Sequence, residues 1–247
     1  MSDHRTGLPA GIRACLFDMD GVLTDTASVH ERAWSQMFDE FLRSRDGASF
    51  QPFTQDDYNS YVDGQPRADG TRNFLASRGI TLPEGDPHDA AGSETVQGLG
   101  SRKNALVQKH FEQFGVAVFQ TSVEYVRRVR AAGLSVGVVS ASENTSQVLA
   151  QADISDLFDI RIDGIVTKEQ HLAGKPAPDT YLAGAKALGA PARAAAVFED
   201  AVAGVEAGRA GGFGYVVGID RVGHAAALRD GGADVVVTDL DELMGTA

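Results

Sequence analysis

The stretch Ala14-Cys15-Leu16-Phe17-Asp18-Met19-Asp20-Gly21-Val22-Leu23-Thr24-Asp25 passes from four apolar residues straight into an acidic pair. A short apolar run bounded this sharply reads as a buried strand, and acidic residues two apart at its carboxyl end point their side chains the same way. Two like charges brought together in one crevice are costly unless a cation or a reaction requires them. The same pattern recurs far along the chain, where the run at 195–198 ends in Glu199-Asp200. Three or four hard oxygen ligands without His or Cys suit magnesium. Either pair alone could be a surface turn or a helix cap. Two pairs at strand ends point to a metal-assisted reaction.

Outward from these pairs, further apolar runs lie at Ser135–Val139, Ile160–Ile162, 214–217 and Val235–Val237, separated by longer amphipathic stretches. Alternation of this kind predicts an α/β fold, a doubly wound parallel sheet with helices on its faces. Residues 26–118 contain no comparable strand run. Helical patterns at 33–41, 70–77 and 102–114 make this stretch an inserted α-helical cap, with residues 1–25 and 119–247 forming the core. Within the cap, residues 82–100 are rich in Pro, Gly, Asp and Ser and read as a surface loop.

Two further elements belong with the acidic pairs. Gly174-Lys175-Pro176-Ala177-Pro178-Asp179 holds one lysine at the entry to a helix, where a cation could offset a phosphate and a neighbouring carboxylate. Val139-Ser140-Ala141-Ser142-Glu143-Asn144 is a strand that stops in small hydroxyl residues, offering Ser140 and backbone N–H groups to an anion.

The chain has 247 residues, 43% of them hydrophobic, enough for a substantial core. Its net charge of −12 disfavours nucleic acid and anionic membrane as partners. Its single cysteine, Cys15, excludes an internal disulfide and reads as a small buried residue of the first strand. No signal-like run occupies the first eleven residues and no apolar stretch reaches spanning length, so a cytoplasmic location is expected.

In this order the four elements resemble the haloacid dehalogenase superfamily, and the match covers nearly the whole chain. The resemblance implies a Rossmann-like core with a helical cap and phosphoryl transfer through an aspartyl-phosphate. Asp18 would be the nucleophile and Asp20 the acid and base. Mg2+ would be held by Asp18, the Asp20 carbonyl, Asp200 and, directly or through water, Glu199. Ser140, Ala141 and Lys175 would hold the phosphoryl oxygens. Asp18 must be ionised to attack, and both the cation and Lys175 are expected to lower its pKa.

A narrower resemblance is to the β-phosphoglucomutase family, through residues 18–26 with His30 and Trp34, then Arg67, then Arg102-Lys103-Asn104, then Ser140, Ser142 and Asn144, then residues 175–179. It implies that His30 couples cap closure to the acid/base Asp, and that Arg67 grips the phosphate not being transferred. Lys103 and Asn104 would contact the sugar, and Trp34, Ser142 and Asn144 would complete the pocket. It also implies a small sugar-phosphate substrate, β-glucose 1,6-bisphosphate as an activating intermediate, and a monomer whose cap has a free surface. Each cap residue also has a plain reading: His30 and Trp34 as a packed helix face, Arg67 as a surface ion pair, Lys103 as a solvated charge. The sequence departs from the family at Glu143, where a lysine is expected, and in the length of residues 82–100; both bear on the identity of the sugar. Two other readings stand beside the mutase: a sugar-phosphate phosphatase on the same site, and a non-catalytic binding protein, against which the intact Asp18, Asp20, Lys175 and Asp200 argue.

Overall fold

The structure, a computed structural model, describes residues 6–245. The expectation for the first eleven residues therefore falls in part on residues 1–5, outside the described ones. Six strands form one parallel sheet: β1 Ala14–Phe17, β2 Ser135–Val139, β3 Ile160–Ile162, β4 Ala195–Glu199, β5 Tyr215–Ile219 and β6 Val235–Val237. Their spatial order is β3-β2-β1-β4-β5-β6. The order reverses direction between β1 and β4, and in such sheets ligands bind outside the carboxyl ends at that switch point.

Both faces of the sheet are covered, which is why its strands read as continuous apolar runs instead of alternating ones. On one face Ala14, Leu16 and Val197 pack with Tyr181, Val205 and Ala207 from the helices Asp179–Ala187 and Val202–Ala210. On the other, Phe17 stacks on Phe198 at 4.3 Å between ring centroids, with Tyr125 of helix Gln120–Ala131 edge-on at 6.3 Å. Cys15 is buried in β1, and burial pushes its thiol up. Two strand ends differ from expectation. β4 runs on to Glu199, paired in register with Gly218, and β5 starts at Tyr215.

The chain divides into two compact units, Met1–Asp25 with Ala117–Ala247, and Thr26–Val116. The return crossing lies two residues earlier than the spacing of apolar runs implies. The Asp25 N–H donates to the Ala117 carbonyl at 2.9 Å and Thr24 bridges to Val118, so residues 117 and 118 are held by the sheet unit.

Within the second unit, helices Ala27–Asp46, Arg67–Ser77 and Val96–Phe114 enclose an aromatic centre. Phe38 lies 5.3 Å from Trp34 and 4.1 Å from Phe74, and Phe53 lies 4.9 Å from Phe74. The expected loop at 82–100 is shorter than its composition suggests. The Thr95 hydroxyl accepts the Gly98 N–H at 2.9 Å and starts the helix at Val96. Gly98 and Gly100, which imitate loop composition, are there for close approach: a Cβ on Gly98 would lie 2.3 Å from the Ser93 carbonyl oxygen, and one on Gly100 would lie 3.3 Å from Cγ of Arg67. Among the described residues no helix is long and apolar enough to cross a membrane.

Candidate active site

β1 delivers Asp18 to the switch point. Its N–H donates to the Phe198 carbonyl at 2.9 Å, continuing the ladder to β4 one residue beyond the strand. The chain then coils. The N–H groups of Leu23 and Thr24 donate to the Met19 carbonyl at 2.9 and 3.0 Å, the Thr24 hydroxyl donates to the same carbonyl at 3.1 Å, and the Gly21 N–H donates to the Thr24 carbonyl at 2.8 Å. Gly21 adopts φ +83°, and a Cβ there would lie 1.7 Å from Oδ2 of Asp200. Only glycine lets the acidic loop of β4 come this close.

Asp18, Glu199 and Asp200 offer carboxylate oxygens within 4.8 Å of one another. Lys175 lies among them. Its ammonium donates to Asp18 Oδ1 and to Glu199 Oε1, both at 2.5 Å, and to the Val139 carbonyl at 3.3 Å. Lys175 and Glu199 are buried, and Asp18 is only 7% exposed. A cluster of three carboxylates with hard oxygen ligands fits a divalent cation in charge and in ligand type.

Lys175 lowers the Asp18 pKa, as the sequence predicts, but it does not decide the net direction. Burial pushes the Asp18 carboxyl up, the Lys175 ammonium opposes this, and the Glu199 and Asp20 charges reinforce it, so the net direction is upward. Lys175 is already shared with Glu199, and by itself it does not hold Asp18 in the ionised form. A cation held by these carboxylates would favour the ionised form of Asp18. Burial disfavours the Lys175 ammonium, but Asp18 and Glu199 outweigh it, and its pKa is raised.

Glu199 is more heavily engaged than a simple ligand. Oε1 accepts from Lys175 and, at 2.7 Å, from the Tyr181 hydroxyl, while Oε2 accepts the Ala201 N–H at 3.2 Å. Neither Tyr181 nor the glycine beneath Glu199 stands out in the sequence. A Cβ on Gly204 would lie 1.8 Å from Glu199 Oε1. The one available signal was a pair of glycines inside a helical stretch, Gly204 and Gly208, which marks close approach.

At the end of β2 the Ser140 N–H donates to the Ile162 carbonyl at 2.9 Å. Its hydroxyl accepts the Ser142 N–H at 3.1 Å and keeps its own hydrogen to donate, and the Ser142 hydroxyl accepts the Asn144 N–H at 3.1 Å. Ala141 and Glu143 pack on Gly164, where a Cβ would lie 2.7 Å from the Ala141 carbonyl oxygen. Glu143 forms an ion pair with Lys168 at 2.5 Å, so a lysine stands beside this turn although the turn itself carries the glutamate.

The second unit gathers His30, Trp34 and Lys103. The Lys103 side chain is buried, with Nζ 2.6 Å from His30 Nδ1 and 4.9 Å from the Trp34 ring centroid. An ammonium only donates, so with Lys103 charged His30 Nδ1 is the acceptor of this pair. Lys103 is thus not a solvated charge, while Trp34 does belong to the packed aromatic centre. Arg67 opens its helix against Gly100, and its neighbour Asp69 pairs with Arg72 at 2.7 Å. Asn104 follows Lys103 on helix Val96–Phe114 and is half-buried.

Comparison with known proteins supplies the context. Residues 12–212 match the family model of haloacid dehalogenase-like hydrolases. The chain is 54% identical over 245 residues to the β-phosphoglucomutase of Mycobacterium tuberculosis, covering 96% of this chain and 94% of that protein. The crystal structure of β-phosphoglucomutase from Clostridium difficile superposes with a TM-score of 0.73 at 25% identity, covering 94% of this chain and 93% of that one. A hydrolase from Pseudomonas syringae superposes with a TM-score of 0.75 at 20% identity, covering 94% and 96%, a likeness of fold.

Proposed function

The chain belongs to the haloacid dehalogenase-like hydrolases, and from that premise we propose that it is a β-phosphoglucomutase, converting β-glucose 1-phosphate to glucose 6-phosphate through an aspartyl-phosphate on Asp18. The observation that carries the reading is the 54% identity spanning 96% of the chain, the Thr26–Val116 unit included.

Asp18 attacks phosphorus in line, and Asp20 gives a proton to the leaving oxygen and later takes one from the incoming hydroxyl. Lys175 stays protonated beside Asp18 and bears on the phosphoryl oxygens together with the Ser140 hydroxyl and the Ala141 backbone. Glu199 and Tyr181 hold Lys175 in place. Asp18, the Asp20 carbonyl, Asp200 and Glu199 would hold Mg2+, which when bound supplies the charge that keeps Asp18 ionised and offsets the phosphoryl oxygens. Arg67 takes the phosphate that is not transferred, by two parallel hydrogen bonds. Lys103 and Asn104 contact the sugar and His30 couples cap closure to Asp20, with Trp34 supporting Lys103 and with Ser142 and Asn144 on the β2 turn completing the pocket. β-Glucose 1,6-bisphosphate is the activating intermediate. With a net charge of −12 the protein is expected to act on this small ligand alone, as a cytoplasmic monomer without nucleic-acid or membrane partners.

The hydrolase description of the matching family favours one second reading, a sugar-phosphate phosphatase with the same nucleophile. Phosphorus NMR on protein with Mg2+, β-glucose 1-phosphate and a trace of the bisphosphate separates the two. Glucose 6-phosphate without free phosphate is the expected result. Free phosphate as the main product would make the protein a phosphatase, and no product at all would remove the β-phosphoglucomutase reading and mean that the cap selects another substrate.

A further inference from the structure

After β5 the chain runs Asp220-Arg221-Val222-Gly223-His224 into helix Ala225–Asp230, and none of the roles above uses this turn. It is wound on one carboxylate. Asp220 Oδ1 accepts the N–H groups of Gly223 at 2.6 Å and His224 at 2.8 Å, and Oδ2 accepts that of Ala225 at 3.0 Å. Such a ring of amide donors rigidifies the turn.

Two side chains leave this turn for the two acidic loops. Arg221 donates from Nε to the Gly21 carbonyl at 3.3 Å. The rest of its guanidinium is fixed by Asp239 at 2.7 Å, Ser122 Oγ at 3.2 Å and the Thr238 carbonyl at 3.3 Å, with the Phe119 ring centroid 3.7 Å away. His224 Nε2 lies 2.9 Å from the Asp200 carbonyl, and because a carbonyl only accepts, this nitrogen carries the proton.

We propose that Arg221 and His224 are positioning residues that set the spacing of the two acidic loops, and with it the geometry of the metal-binding oxygens and the line of attack of Asp18. The inference rests on the phosphoryl-transfer reading above. The carbonyl that Arg221 holds is the next one after the proposed Asp20 ligand, and the carbonyl that His224 holds belongs to Asp200 itself. The loops already touch where Gly21 meets the Asp200 carboxylate. A shift of either one therefore changes both the ligand spacing and the position of Asp18, and supporting contacts of this kind matter nearly as much as the ligands themselves.

Direct Mn2+ binding, read from the EPR signal of the free aqua ion, tests this beside steady-state kinetics. Arg221→Ala and His224→Ala are expected to weaken Mn2+ binding about 10–100-fold and to lower kcat by a similar factor, with KM for the sugar phosphate nearly unchanged. His224→Gln, which returns an N–H donor at the same reach, should recover most of the loss. If Arg221→Ala does not fold, Arg221→Lys and the two His224 variants carry the test. Unchanged Mn2+ affinity and unchanged kcat per folded molecule in the alanine variants, or equal losses in His224→Gln and His224→Ala, would overturn the proposal. Wild-type protein that binds Mn2+ but turns over no sugar phosphate would instead remove the functional reading, and the binding comparison would still decide the role of Arg221 and His224.

Discussion

The sheet unit and the Thr26–Val116 unit each bury a lysine, and they position it by different means. Lys175 sits among carboxylates, held by Asp18 and Glu199 over the Tyr181 ring. Within its unit Lys103 packs against the His30 imidazole and the Trp34 ring. The first lysine is positioned by backbone topology, since the carboxylates around it come from the ends of neighbouring strands. The second is positioned by side-chain packing between two helices. The difference teaches that the sheet unit is built to bear a fixed chemistry, whereas the helical unit is built to be retuned: strand ends cannot move without the sheet, but helix-surface residues can be exchanged one at a time.

The largest effect expected on the sheet side is that of Asp18→Asn, which should abolish turnover by on the order of 10⁴-fold or more and leave no acid-stable protein-bound phosphate. Turnover within tenfold of wild type would break the account of the sheet unit. Gly21→Ala should come next. Its Cβ would fall on the Asp200 carboxylate at φ +83°, so kcat should drop about 100-fold while the far-UV spectrum stays native. On the helical side, Lys103→Met keeps the stem on Trp34 and removes the charge. Here kcat/KM for β-glucose 1-phosphate should fall about 10–100-fold, as for loss of a charged hydrogen bond. Phosphorylation of Asp18 by acetyl phosphate, which has no sugar to recognise, should be little affected, and an equal loss with both donors would erase the contrast between the units.

Smaller effects sharpen it. Tyr181→Phe removes one donor from Glu199 but leaves Lys175 in place, so stability should fall by about 1–2 kcal/mol in urea unfolding and kcat by only a few-fold. The helical unit carries a pH-dependent term of its own. Burial pushes the Asp57 carboxyl up, but the Thr54 hydroxyl and N–H and the Arg78 guanidinium outweigh it, leaving the pKa below its usual value. A depressed carboxylate stabilises the fold above its unfolded pKa of about 3.9, and this contribution is lost as pH falls through the folded value. Asp57→Asn should therefore cost about 0.5–1 kcal/mol at pH 7 and progressively less below pH ~4. Trp34 is the single tryptophan and lies in this unit, so its fluorescence reads the effect; a gap that widens on acidification would reverse the sign.

Much of the sheet unit was legible in the sequence because its logic is local. An apolar run that ends in Asp18-Met19-Asp20 or in Glu199-Asp200 announces both a strand and what stands at its carboxyl end. The helix start at Val96 was not legible from composition, since Gly98 and Gly100 look like loop residues until their neighbours Ser93 and Arg67 are seen. Tyr181, Gly204, Arg221 and His224 were missed for a related reason. Each acts on a residue distant in sequence, through a hydroxyl, an absent Cβ or a main-chain carbonyl, and no local period or spacing records such a meeting. The net direction of the Asp18 shift was also hidden, because it is set first by burial at the packed strand end, which outweighs Lys175.

The central claim is that Asp18 receives a phosphoryl group and returns it to a sugar. Protein loaded with a sub-stoichiometric amount of ³²P-labelled β-glucose 1,6-bisphosphate, acid-quenched and digested, should carry the label on the peptide containing Asp18. A chase with unlabelled β-glucose 1-phosphate should move that label into sugar bisphosphate and glucose 6-phosphate. Label absent from the Asp18 peptide, or released as inorganic phosphate at every sugar concentration, would contradict the account.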